Sequence, residues 1–267
     1  MPVHIIVAIK QVMDPEIPPS AFSIAENAKE VVSPSNIPPV INGYDEQAIE
    51  AALRVKETAG EGTITVVSIG SNFSLDVMKK PLSMGADELI LVDTGDIGND
   101  PDSNIAAHLL TSAIRKIGSF DLILCGRQAS DWDNAQVPIG VASMLQIPVI
   151  TVGRKVEITG EKVQVERVLP NGYELVESNL PAVVTLSSEL GEPRYPTLRG
   201  IMTATKKQPT LWSLNDLAND TVLPPSNLTI NTITTPEKQN ECTIVEGENG
   251  KEAGKNLALK LREAKLI

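Results

Sequence analysis

Short, almost continuous apolar runs alternate along the first half of the chain with stretches whose apolar residues recur every three or four positions. The runs are VHIIVAI (3–9), GTITVVSIG (62–70), DELILVD (87–93), DLILCG (121–126) and IPVIT (147–151). Continuous runs of this length read as strands buried on both faces. Between them, DEQAIEAALRVKETAG places Ala48, Ala51, Ala52 and Val55 on one helical face and stops at Gly60. SLDVMKKPLSMGA reads as a helix broken near Pro81. DPDSNIAAHLLTSAIRKIG reads as a helix capped by Asp102 or Ser103 and ended by Gly118. NAQVPIGVASMLQ is a further helix. Strands alternating with helices predict an α/β fold, a doubly wound, mainly parallel sheet.

The texture changes from Arg154. RKVEITGEKVQVERV and NGYELVE predict a small antiparallel β ribbon, and LPAVVTL one more buried strand. The polar, proline-rich stretch 14–39 reads as a surface excursion. After Lys207 apolar residues are sparse, which predicts an extended C-terminal arm, with Trp212 and Leu214 as anchors and a final amphipathic helix in GKNLALKLREAKL. The expected division is therefore 1–207 for the α/β domain and 208–267 for the arm.

Composition narrows the chemistry. The 267 residues carry a net charge of −11, which disfavours nucleic acid and anionic membranes as partners. No stretch reaches the ~18 apolar residues of a membrane span, and the N-terminus has no basic lead-in. A cytoplasmic protein without membrane insertion is expected. Cys125 and Cys242 are the only cysteines and form no zinc motif. His4 and His108 fall inside predicted elements and read as structural, so a histidine-dependent catalyst is disfavoured.

Open parallel sheets bind ligands beyond the carboxyl ends of their strands. The polar loop after Cys125 and Gly126, RQASDWDNAQV, sits at such an end and runs into a helix. Free N–H groups at a helix N-terminus suit a phosphate. Asp133 or Asn134 could equally cap that helix. Neither the GxxxxGK[ST] nor the GxGxxG fingerprint is present.

Five segments in order, AIKQVMD, NGYDEQAIEAALRVKE, MGADELILV, LILCGRQASDWDNAQVP and the long stretch 165–207, resemble the electron transfer flavoprotein beta subunit. The resemblance implies a Rossmann-like, adenine-nucleotide-binding fold in a subunit with no catalysis of its own. It implies pairing with an alpha subunit that holds most of a redox FAD, and electron transfer from flavin dehydrogenases, such as the acyl-CoA dehydrogenases of fatty acid oxidation, to a quinone reductase. It also implies AMP in the beta subunit, or a second FAD in an electron-bifurcating member. By position, Ala8, Ile9, Asn42 and Ile69 would surround the adenine. The backbone of Asn134, Ala135, Gln136 and Val137 would hold the phosphate, with Gly126 allowing close approach. Tyr44 would approach the alpha-bound flavin. A recognition segment at about 186–200 would meet dehydrogenases through Leu190, Glu192, Pro193, Arg194 and Tyr195, with Leu190 as an exposed plug.

Some positions depart from the family pattern. Gly43 and Pro138 stand where the family usually has proline and glycine. Trp132 crowds the room for a second flavin, so AMP is favoured over FAD. Two other classes remain. A regulatory nucleotide-binding module would leave the segment 180–202 unexplained. An ATP-cleaving enzyme would need a Ser-Gly-Gly-x-Asp-Ser loop where this chain has KQVMDP.

Overall fold

The computed structural model describes residues 2–34, 36–97, 102–217, 223–226, 228–235 and 242–267. Its main sheet has nine strands. In chain order these are β1 (Val3–Ala8), β2 (Gly62–Gly70), β3 (Glu88–Asp93), β4 (Leu122–Gly126), β5 (Val149–Thr159), β6 (Lys162–Leu169), β7 (Gly172–Asn179), β8 (Ala182–Leu186) and β9 (Thr210–Ser213). Their order across the sheet is β7-β6-β5-β8-β4-β1-β2-β3-β9. Every pairing from β5 to β9 in that order is parallel, and β5, β6 and β7 pair antiparallel. The longer helices are α1 (Gly43–Ala59), α2 (Ser103–Ile117), α3 (Val137–Leu145), α4 (Leu198–Lys206) and α5 (Gly250–Glu263).

Alternate residues of one strand feed two cores, as a pleated strand covered on both faces requires. On β1, Ile5 and Val7 join the core under α1, whereas Ile6 and Ala8 join the core under α2 and α3. This is the doubly wound, mainly parallel arrangement expected. The break in the second predicted helix falls at Lys79, between Leu75–Met78 and Lys80–Met84, with Pro81 in the first turn of the second piece, where a missing N–H costs little. Asp102 caps α2 by accepting from the Ile105 amide at 2.8 Å. Both histidines are held locally: His4 lies between the Ser119 carbonyl and the Thr65 hydroxyl, and His108 bonds the Asn104 carbonyl.

The ribbon is not separate from the sheet. IPVIT and RKVEIT form the single strand β5, parallel to β8 in its first half and antiparallel to β6 in its second. The direction of pairing changes around Val152, whose φ of 61° is unusual for a β-branched residue, and Gly153, where a Cβ would lie 2.8 Å from Val165. The chain after Lys207 also departs from expectation. Thr210–Ser213 pairs with β3 as an edge strand, Trp212 packs on the α2 core beneath the Lys116 ammonium, and Leu217 is buried. The break in contacts falls between Asn231 and Thr232, later than 207/208. The second unit, 232–267, is described over 232–235 and 242–267. It holds α5, capped by Asn249, whose Leu257 and Leu259 are exposed.

Candidate functional site

The carboxyl ends of β1, β2 and β4 and the amino ends of α2 and α3 meet around one cleft. Its walls include Ala8, Ile9, Asn42, Ile69, Gly126, Asn134, Ala135, Gln136 and Val137. The nine residues expected around the beta-subunit nucleotide are thus brought together; the tenth cofactor residue, Tyr44, was expected against the alpha-bound flavin. Tyr44 is not in the wall. Sequence reasoning missed Lys10, Asp45, Asp102, Leu228 and Ile230, which also line it. Leu228 and Ile230 come from the stretch expected to form an arm; two lone apolar residues among turn formers carry no periodic signal.

The start of α3 has a free terminus. Its capping position is Gln136, which makes no side-chain cap. Neither expected alternative caps it: Asp133 accepts from the Gln128 amide at 2.7 Å, and the Asn134 amide donates to the Ser103 hydroxyl at 3.2 Å. The backbone amides of Asn134, Ala135, Gln136 and Val137 have no acceptor among the described residues. Asp133 and Ala135 are both left-handed, with φ of 52° and 54°. Such residues cost ~1–2 kcal/mol apiece and turn successive N–H groups toward one concavity suited to an anion. Gly140, whose Cβ would lie 2.8 Å from that of Ala107, lets α3 lie close to α2. The Asp102 carboxylate then guards the end of α2, which directs an anion to α3.

The loop is pinned from α1. Asn42, fully buried, spends its side chain on the loop rather than on capping α1. It donates to the Gln128 carbonyl (2.9 Å) and accepts from the Ser130 amide (3.1 Å). Asp45 accepts from the amides of Lys10 (2.7 Å) and Gly126 (3.0 Å), tying the ends of β1 and β4 together. Burial pushes its carboxyl up to about 7, against the pull of those hydrogen bonds and of Lys10. Burial also raises the Cys125 thiol far above its usual range, so it is an inert wall. Gly126 is needed because a Cβ there would lie 2.4 Å from Asp45 Oδ1 and 2.7 Å from Tyr44 Cβ. The close approach it permits is to α1. Lys10, the cation in the wall, pairs with Asp131 at 2.5 Å.

A family model described as the electron transfer flavoprotein domain matches residues 30–217. The chain is 37% identical over 269 residues to the electron transfer flavoprotein subunit beta of Thermoanaerobacterium thermosaccharolyticum, covering 99% of this chain and 100% of the relative. It is 37% identical to the subunit beta of Bacillus subtilis (85% and 88% covered) and 32% identical to the caffeyl-CoA reductase-Etf complex subunit CarD of Acetobacterium woodii (86% and 89%). The chain belongs to the electron transfer flavoprotein beta-subunit family. Its role is in electron transfer, which for a beta subunit implies a partner subunit. No helix among the described residues is long and apolar enough to cross a membrane.

For this beta subunit the structure revises the expected recognition segment. Leu190 is only 8% exposed; it sits in a short helical turn, Ser188–Leu190, and packs into the core under α1. Sequence neighbours made it look exposed, because Glu189, Glu192 and Arg194 surround it; the turn points it inward. Arg194 is also committed internally. Its guanidinium donates to Glu50 (2.8 and 3.2 Å) and to Glu57 (2.5 and 3.1 Å) on α1. Burial opposes ionisation of Glu50, but the hydrogen bonds from Arg194 and Arg54 hold its carboxyl below the usual range. Arg54 also donates to the Leu190 carbonyl at 3.1 Å. With its nitrogen facing them, the Gln47 amide reaches the carbonyls of Ser187 (3.2 Å) and Gly191 (3.1 Å). What faces solvent is Glu192 and Tyr195, the latter 91% exposed, followed by Leu198, Ile201 and Met202 on α4. Pro193 is half-buried.

Proposed function

We propose that this chain is the beta half of a cytoplasmic heterodimeric electron carrier that holds one AMP as a structural group. The redox FAD lies mainly on an alpha subunit and is approached by Tyr44. Electrons pass from flavin dehydrogenases, such as acyl-CoA dehydrogenases, to a quinone reductase or similar acceptor. The observation that carries the nucleotide is the row of four unused backbone amides at the start of α3, in a cleft whose walls hold nine of the expected residues. The chain's own groups would act by position. The amides would hold the phosphate, Ala8, Ile9 and Ile69 would offer an apolar slot to the adenine, and Asn42 and Asp45 would keep the loop and strand ends in register. The FAD, when bound, supplies the one- and two-electron chemistry.

The donors favour one phosphate over two. Lys10, the cation in the wall, is paired with Asp131. That leaves four amides, enough for the oxygens of one phosphate group. A second reading puts FAD in the cleft. Relatives named as subunits of caffeyl-CoA and acryloyl-CoA reductase systems favour it; Trp132, Leu228 and Ile230 in the wall oppose it.

The test is Ala135→Pro. Proline cannot adopt a φ near +54° and removes one amide, so the purified heterodimer should lose its AMP on dialysis while keeping FAD. Full retention of AMP by a folded mutant would remove the loop from the nucleotide site.

A further inference from the structure

Two tracts of chain bring apolar side chains to the cleft and leave them without a packing partner. Trp132, in the loop after β4, is 39% exposed, Leu228 is 54% exposed and Ile230 is half-buried. All three line the cleft. Among the described residues none of them packs into either core, although Leu214, Leu217 and Leu223, earlier in the tract that carries Leu228, all pack on the core under α2 and α3. Trp132 and Leu228 are nonetheless held in place. The Asp131 carboxylate accepts from the Trp132 amide at 3.0 Å and from the Lys10 ammonium at 2.5 Å, which braces the loop against the end of β1. The Ser226 hydroxyl donates to the Leu228 carbonyl at 3.0 Å and accepts from the Leu228 amide at 3.3 Å. Single exposed apolar residues are ordinary. Three that meet at one cleft, beside four unused amides, have the make-up of a ligand site, in which a few polar groups orient and an apolar wall covers.

We infer that Trp132, Leu228 and Ile230 form an apolar cover over the base and ribose of the mononucleotide whose phosphate the α3 amides hold. The inference rests on the proposed function. Ala8, Ile9 and Ile69 offer the adenine a slot; the cover buries what that slot leaves in water, together with the exposed surface of the three side chains. Shutting water out also strengthens the bonds between the amides and the phosphate. A cover of this kind acts on how fast the bound nucleotide leaves, more than on how fast it arrives.

The experiment uses the heterodimer co-expressed with its partner subunit, as wild type, Trp132→Ala, Trp132→Phe and Leu228→Ala. Labelled AMP is added and its exchange with the bound nucleotide is followed. Trp132→Ala should speed exchange about ten- to a hundredfold, the range for loss of an aromatic side chain from a nucleobase contact. Leu228→Ala should speed it less, Trp132→Phe should stay close to wild type, and FAD content should not change. A wild-type exchange rate in a folded Trp132→Ala heterodimer would overturn the cover and leave the phosphate site standing. Equal acceleration by phenylalanine and alanine would trace the effect to the loop and not to the ring, and would overturn it as well. If Trp132→Ala does not assemble, Leu228→Ala decides: faster exchange supports the cover and a wild-type rate overturns it. A wild-type heterodimer without AMP would overturn the proposed function and this inference with it.

Discussion

The loops that follow β4 and β8 leave neighbouring parallel strands at their carboxyl ends, and both are tied to α1. They use that tie in opposite ways. After β4, the first turn of α1 fixes the backbone through Asn42 and Asp45, and four amides are left unused. After β8, the next turns of α1 take up the loop's polar groups: Arg194 is spent on Glu50 and Glu57, and the Leu190 carbonyl on Arg54. One loop is a frame around a space; the other is a filled scaffold that presents side chains beyond it. Polar sequence therefore does not distinguish a binding loop from a structural one. What distinguishes them is which donors still lack a partner when the fold is complete.

The strongest way to break this comparison is Leu190→Ala. A buried leucine at this position should cost about 2–5 kcal/mol of stability, read as a fall in the urea midpoint. An unchanged midpoint would return Leu190 to the surface. Arg194→Ala comes next. It takes the guanidinium from Glu50, whose side chain is 5% exposed, and should cost about 1–3 kcal/mol. It should also raise protease sensitivity within 187–196, while AMP retention stays at the wild-type level. Simultaneous loss of AMP would show that the two loops are not separately anchored.

Acidity sharpens the contrast more gently. Burial moves Asp45 from 3.8 to about 7, so the folded chain holds a proton there that the unfolded chain has released. The resulting stabilisation is complete below about pH 3.8 and is lost as pH rises through about 7. The Glu50 network, with its lowered carboxyl, runs the other way and is lost as the solution becomes acidic. Between pH 5.5 and 8 the wild-type melting temperature should therefore drift down, and Asp45→Asn should flatten that drift. An identical slope in both proteins would mean that Asp45 titrates as it does in the unfolded chain.

The sheet was legible because its central strands are buried on both faces and so are apolar without interruption. The loop after β4 was legible as a polar segment between a strand and a helix. Its free amides were not, since they depend on Asp133 and Asn134 turning to Gln128 and Ser103. Edge strand β9 escaped notice because an edge needs only one good face, and TLWS supplies Trp212 alone. Leu190 misled because charged sequence neighbours describe the chain's surroundings and not the direction of one side chain.

The central claim is that the cleft beside α3 takes one mononucleotide by its backbone amides. It is tested most directly by denaturing the purified heterodimer and quantifying what it releases. The account predicts equal amounts of AMP and FAD, one of each per heterodimer. Two FAD and no AMP per heterodimer would contradict it.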